Sequence, residues 1–216
     1  AFAAREHGWT LVADMAEPGD PSARICGHVM QGYCVLVGEI LEQAASSGTR
    51  FSHVLVQAGV GGLAASVFGH WTALASGAPA PRFVVVEPDR AACVMVSARA
   101  GRPVAVSTTE ETVMAMLECQ RPSPIAWPVV HALADGYVSV TDDAARRAVR
   151  TLAWPRGGDP VIEAGESGAA GLAGLIGLLG DGAACDALGL GQDSRVLLIA
   201  TEGPTDLSAW SGRRAN

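Results

Sequence analysis

One stretch constrains the fold of this 216-residue chain more than any other: His53-Val54-Leu55-Val56-Gln57-Ala58-Gly59-Val60-Gly61-Gly62-Leu63-Ala64-Ala65-Ser66. It runs from an apolar strand through a glycine turn into a helix-forming segment. That order aims several free backbone N–H groups, and the positive end of a helix dipole, at one point in space. Such a point suits a phosphate group. The second constraint is an absence. All 15 residues counted as lysine or arginine are arginine, so the chain has no lysine amine at all.

The same alternation continues on both sides of the glycine turn. Trp9–Ala13 reads as a short strand ending at Asp14, and Gln31–Ala45 as a helix closed by Ser46-Ser47-Gly48. After the glycine turn, Gly61–Ser76 reads as a helix, Phe83–Val86 as a buried strand ending at Glu87-Pro88, and Ala91–Ala100 as an Ala-rich helix. Helical pieces follow near Thr112–Glu118 and Ala126–Ala134, then a strand at Tyr137–Val140. Thr141 is placed to cap the next helix, with Asp142 and Asp143 in its first turn. Ser167–Leu179 reads as a Gly/Ala-rich buried helix and Arg195–Ala200 as a last strand. Strands alternating with helices predict an α/β fold with a mostly parallel sheet covered on both faces. Sites in such sheets gather at the carboxyl ends of strands. Asp14, the Gly59 turn, Glu87 and Thr201 all fall at such ends.

Composition narrows the function. A net charge of −7 argues against a nucleic-acid or anionic-membrane partner. The longest apolar run, Gly171–Gly180, is too short to span a bilayer. Cys26, Cys34, Cys93, Cys119 and Cys185 show no zinc-ligand spacing and read as reduced thiols, with Cys93 and Cys119 the pair placed to approach. Histidines 7, 28, 53, 70 and 131 are equally scattered, so no metal site is expected. With no secretory-signal pattern, a cytoplasmic location is expected. Ala1–His7 reads as the last turns of a helix stopped at Gly8, which is an unusual way for a domain to begin. The expectation is therefore the C-terminal part of a longer polypeptide.

Gly59-Val60-Gly61-Gly62-Leu63-Ala64 also satisfies the loose dinucleotide pattern G-x-G-x-x-A, with Glu87 as a ribose acceptor. A Rossmann-type oxidoreductase domain is thus one reading. A non-catalytic relic or binding module, suggested by the missing lysine, is another. A third rests on six segments in order: Val12-Ala13-Asp14, Met30-Gln31-Gly32-Tyr33, Gln57-Ala58-Gly59-Val60-Gly61, Val86-Glu87-Pro88-Asp89, Gly165-Glu166-Ser167-Gly168-Ala169 and Ala200-Thr201-Glu202-Gly203-Pro204-Thr205-Asp206. This series closely resembles the diaminopropionate ammonia-lyases, pyridoxal-phosphate enzymes of the tryptophan-synthase-β fold type. The resemblance runs from Trp9 to Asp206 and corresponds to roughly the C-terminal half of that family's chain.

The resemblance implies that residues 1–216 are mostly the large cofactor-binding domain of a longer, two-domain, homodimeric enzyme acting on a small amino acid. It implies that the amides of Gly59, Val60, Gly61, Gly62 and Leu63 hold the phosphate of pyridoxal 5'-phosphate. It assigns Thr201 the hydroxyl that meets the pyridine nitrogen, and Asp14 the carboxylate that moves the Cα proton. A carboxylate in that role needs apolar walls to raise its pKa. Glu87 and Glu166 are expected to bond backbone around the cleft. The family's Schiff-base lysine lies in a Phe-Lys-x-x-Gly context upstream of the matching region, and no such segment occurs here. Without it, the isolated chain is expected not to turn over.

Overall fold

The computed structural model describes residues 2–10, 12–17, 19, 20, 22–74, 79–107 and 110–204. Helix α1 (Phe2–His7) leads through an irregular segment into the long helix α2 (Ala23–Ser46). There follow β1 (His53–Gln57), α3 (Gly62–Leu74), β2 (Arg82–Pro88), α4 (Cys93–Ala100), α5 (Trp127–Leu133) and β3 (Gly136–Val140). Three helices, α6 (Asp142–Ala153), α7 (Ala170–Leu179) and α8 (Gly182–Leu188), precede the last strand, β4 (Val196–Leu198).

The four strands form one wholly parallel sheet in the order β3-β2-β1-β4. Both faces are covered, as successive strand residues demand. Val54, Val56, Phe83 and Val85 point to one core with Val37 of α2, Phe68 and Trp71 of α3, and Trp127 and Val130 of α5. Leu55, Val84 and Val86 point to the other, with Ala145, Ala148 and Val149 of α6 and Ala170, Ala173 and Leu178 of α7. Burial of each Val, Leu or Phe among them contributes about 1.5–3 kcal/mol, and β1 carries no exposed position. Between β1 and β4 the strand order reverses. A crevice opens beyond the carboxyl ends of strands at such a point.

The sheet and most elements agree with the sequence expectations, and Thr141 does cap α6, its hydroxyl accepting from Ala144 N–H at 3.2 Å. Three expectations need correction. Trp9–Ala13 is not a strand among its described residues; Trp9 and Val12 are 66% and 65% exposed, so the run has neither a sheet neighbour nor burial to extend it. The helix expected from Gln31 begins at Ala23; Ile25, Cys26, Val29 and Met30 already fall at helical spacing there, interrupted by Gly27. The helix expected near Thr112–Glu118 is only a 3-10 turn, Ala115–Leu117. Thr205 and Asp206 lie outside the described residues. Among those described, no single helix is long and apolar enough to cross a membrane, and no cluster of three or more His, Cys, Asp or Glu could hold a metal ion.

Candidate functional site

The glycine turn joins β1 to α3, and its two polar edges are treated unequally. Every carbonyl from Gly59 to Gly62 has a partner. Gly59 O accepts from the Cys93 thiol at 3.5 Å and Val60 O from Ser123 N–H at 2.8 Å. Gly61 O accepts from Ala65 N–H and Gly62 O from the Ser66 hydroxyl, both at 2.9 Å. The N–H groups of Gly59, Gly61, Gly62 and Leu63 have no such partner among the described residues, and that of Val60 faces the Cys119 sulfur. Gly61 adopts φ +93°, the left-handed region that lets the chain reverse before α3. A Cβ at Gly59 would stand 2.8 Å from Cys119 Sγ and 3.3 Å from Met116 O, so the turn is pressed against the segment behind it. The outer edge is tied down while the donors stay open.

Those donors line a cavity of about 470 Å³ that also takes in Asp14, Met30, Tyr33, Leu117, Ser167 and Thr201. The structure therefore brings Asp14, Gly59, Val60, Gly61, Gly62, Leu63 and Thr201 to one crevice, at the β1/β4 reversal. Asp14 arrives from a bend rather than from the end of a strand, and it is exposed, so the described residues do not enclose it in the apolar walls expected from the sequence. Burial first, and the Asp14 carboxylate second, push the Cys119 thiol up to about 11. Cys93 is pushed up further, by burial and then by Glu87 and Cys119. Both thiols are free and flank Gly59, and their raised pKa keeps them protonated near neutrality.

Glu87 is wholly buried beside the turn and does not line the cavity. Its two oxygens accept from Val94 N–H and Met95 N–H, each at 2.7 Å, closing the first turn of α4. Burial raises its pKa to about 8 against those two hydrogen bonds. With both oxygens committed to backbone, Glu87 is not a ribose acceptor, and the dinucleotide reading loses its second feature.

Two residues take parts that the sequence concealed. Glu202 reaches across to the Gly165–Gly168 turn, where its Oε2 accepts from Ser167 N–H at 2.8 Å and Gly168 N–H at 3.4 Å, while its carbonyl accepts from Gly165 N–H at 2.9 Å. Gln57, buried at the end of β1, donates from Nε2 to Ile199 O at 2.7 Å and to Thr201 Oγ1 at 2.8 Å. These links join the G-E-S-G and T-E-G segments to the glycine turn. Gln57 Oε1 and Ser167 Oγ, on two residues of the cavity wall, are buried without a partner among the described residues. Open backbone donors, a glycine pressed from behind and the unpartnered Ser167 hydroxyl together fit the phosphate end of a cofactor.

Comparison with known proteins gives the crevice its context. The family profile "Pyridoxal-phosphate dependent enzyme" matches residues 1–202. The chain is 37% identical over 223 residues to diaminopropionate ammonia-lyase of Escherichia coli (strain K12), covering 98% of this chain and 54% of that one. It is 36% identical over 224 residues to the enzyme of the same name from Salmonella typhimurium, covering 98% and 55%. Among solved structures, the E. coli enzyme in complex with an aminoacrylate-PLP azomethine reaction intermediate superimposes with a TM-score of 0.86 at 36% identity, covering 99% of this chain and 56% of that chain. A threonine deaminase of T.th. gives 0.73 at 25% identity, covering 95% and 60%. The tryptophan-synthase-β-like fold expected from the sequence agrees with these neighbours. The chain spans about half the length of the curated relatives it matches.

Proposed function

The chain belongs to the family of pyridoxal-phosphate dependent enzymes, and from that membership we propose that it is the C-terminal, cofactor-binding portion of a diaminopropionate ammonia-lyase. The whole enzyme, a two-domain cytoplasmic homodimer on this reading, eliminates the β-amine of 2,3-diaminopropionate as ammonia, and water then hydrolyses the released aminoacrylate to pyruvate and a second ammonia. The observation that carries the proposal is the glycine turn whose carbonyls are all engaged and whose amides stay open, in one crevice with Asp14 and Thr201.

Each element has a definite task. The N–H groups of Gly59, Gly61, Gly62 and Leu63, with the dipole of α3, bind the cofactor phosphate, while the Val60 N–H, expected to join them, is turned to the Cys119 sulfur. Bound pyridoxal phosphate supplies an electron sink for charge that develops at the substrate Cα. Thr201 presents a neutral hydroxyl to the pyridine nitrogen, which leaves that nitrogen unprotonated, moderates the sink and favours elimination over transamination. Asp14 holds and moves the proton at Cα. Met30 and Leu117 give the crevice wall an apolar surface. Tyr33 and Met116 also lie exposed at the crevice, which suits a cleft completed by a second domain. The Schiff-base lysine belongs to that second part, since the present residues include none.

Rebuilding the cleft tests the proposal. This chain alone, incubated with pyridoxal phosphate and 2,3-diaminopropionate, is expected to release ammonia at the rate of free cofactor. Supplying the lysine-bearing half, separately or in one polypeptide, is expected to restore turnover and a borohydride-trappable absorbance. Turnover by this chain alone would refute the mechanism. A complete enzyme that binds pyridoxal phosphate yet ignores 2,3-diaminopropionate would refute the substrate.

A further inference from the structure

We propose that Gln57 is a positioning residue that fixes the Thr201 hydroxyl as a hydrogen-bond donor into the crevice. The inference rests on the reading of Thr201 given above and adds the reason its hydroxyl has one polarity.

A threonine hydroxyl can donate or accept, and left alone it rotates to suit whatever it meets. Here it is not left alone. Gln57 Nε2 stands 2.7 Å from Ile199 O, and a carbonyl oxygen only accepts. The amide nitrogen must therefore occupy that position, which settles the orientation of the side chain. The second proton of the same nitrogen goes to Thr201 Oγ1 at 2.8 Å. Thr201 is thus an acceptor towards the protein, and its own proton is left for the crevice it lines. Using the second lone pair for a donor there would leave that proton without a partner, so the atom that suits the position is an acceptor. An unprotonated ring nitrogen is one, and a protonated ring nitrogen is not.

The arrangement is held rigidly and at a cost. Gln57 ends β1, where it is 2% exposed, and Ile199 directly follows β4, so the fork spans two paired strands. Gln57 Oε1 is left buried and without a partner among the described residues. A residue needed only to fill this space would be apolar and leave no orphaned oxygen. The amide is explained by its donors, both of which point to the segment that carries Thr201.

The test uses the complete enzyme and two cofactors, pyridoxal phosphate and its 1-deaza analogue, in which the ring nitrogen is a C–H group. Both carry the same aldehyde and phosphate, so their affinity ratio isolates the contact at the ring nitrogen. The wild-type protein is expected to favour pyridoxal phosphate by about tenfold, the worth of one well-made hydrogen bond. Gln57→Met is expected to bring the ratio within about twofold while leaving inorganic phosphate competition at the glycine turn unchanged. Gln57→Glu keeps the shape but has at most one proton, which the Ile199 carbonyl takes, so none is left for Thr201 and its hydroxyl turns back to the side chain. The ratio is again lost, and the ring nitrogen of the bound cofactor takes up a proton at higher pH in its absorbance titration. If Gln57→Met does not fold, Gln57→Glu carries the same test. A wild-type ratio retained in whichever Gln57 variant folds, while Thr201→Val loses it, overturns the proposal. A ratio retained in Thr201→Val itself overturns instead the reading of Thr201 on which the proposal stands.

Discussion

Two glycine turns in this molecule begin alike and end differently. Both lead into a helix, α3 after Gly59–Gly61 and α7 after Gly165–Gly168, and both gather backbone N–H groups at the helix entry. At the second turn the protein supplies its own anion: the Glu202 carboxylate takes the amides of Ser167 and Gly168. At the first it supplies none, and the donors open onto a crevice. Elsewhere the chain closes helix entries with its own side chains, Glu87 at α4, Thr141 at α6 and Asp181 at α8. A glycine turn before a helix is therefore not in itself a ligand site. What marks one is that its carbonyls are satisfied while its amides are not.

The closed turn is the one on which stability depends most. A Cβ at Gly168 would stand 2.5 Å from the Glu202 carbonyl oxygen, and one at Gly165 would stand 2.5 Å from Glu202 Oε2 and 2.7 Å from Gly203 O. The neighbour at Gly168 is backbone and has nowhere to go. Gly168→Ala is expected to cost about 3 kcal/mol or more in urea unfolding, as overpacking of a rigid contact does. A loss under about 0.5 kcal/mol would mean that the two segments are not interlocked.

Glu87 sharpens the comparison from a third helix entry, where the carboxyl group is present but buried. Its pKa is raised from the usual 4.5 to about 8, so between those values the folded protein holds a proton that the unfolded chain has released. Stability from this group is complete below about pH 4.5 and falls as pH rises through about 8. The change is on the order of a few kcal/mol, shared with the nearby Cys93 and Tyr137, which also feel Glu87. An amide at this position cannot titrate. Glu87→Gln is therefore expected to flatten that slope in unfolding curves taken from about pH 5 to about pH 8, at a lower baseline because its NH2 group faces an N–H donor.

Emptying the closed turn should cost less. Glu202→Ala is expected to lose about 1–3 kcal/mol by thermal or urea melting, since the Ser167 and Gly168 amides lose their acceptor. The smallest change in stability belongs to the open turn. Gly62 has room for a side chain, a Cβ there meeting only Met30 Cγ at 3.7 Å, and a carboxylate suits the first turn of a helix. Gly62→Asp is expected to alter unfolding by less than about 1 kcal/mol while weakening pyridoxal phosphate at least about tenfold, measured by cofactor titration. Equal affinity in the mutant would break the comparison at its centre.

Much of this was legible in the chain. The apolar run before Gly59 could only be a buried strand, and the Thr141-Asp142-Asp143 cap marked its helix to the residue. Asp14 was placed at the crevice for a wrong local reason, since it ends a bend rather than a strand. Helix α8 left a signal that went unread: Asp181, whose carboxylate caps Ala184 N–H at 3.1 Å, hidden among glycines and alanines. The Gln57–Thr201 and Glu202–Ser167 contacts could not have been read. They join residues far apart in sequence, and nothing in the local pattern of a glutamine or glutamate names its partner.

The pairing of β4 with β1 also orders events in time. Gln57 and Thr201 are separated by 144 positions, and β1 can gain its β4 neighbour only after residues 196–198 exist. A nascent chain therefore presents its glycine turn to water long before the opposite wall of the crevice has been made. Parallel pairing over such a distance is slow, because loop closure must precede the contacts that reward it. On the reading of Thr201 proposed above, capture of the cofactor's ring end reports the pairing of β4, whereas binding of phosphate alone reports only the first half of the sheet.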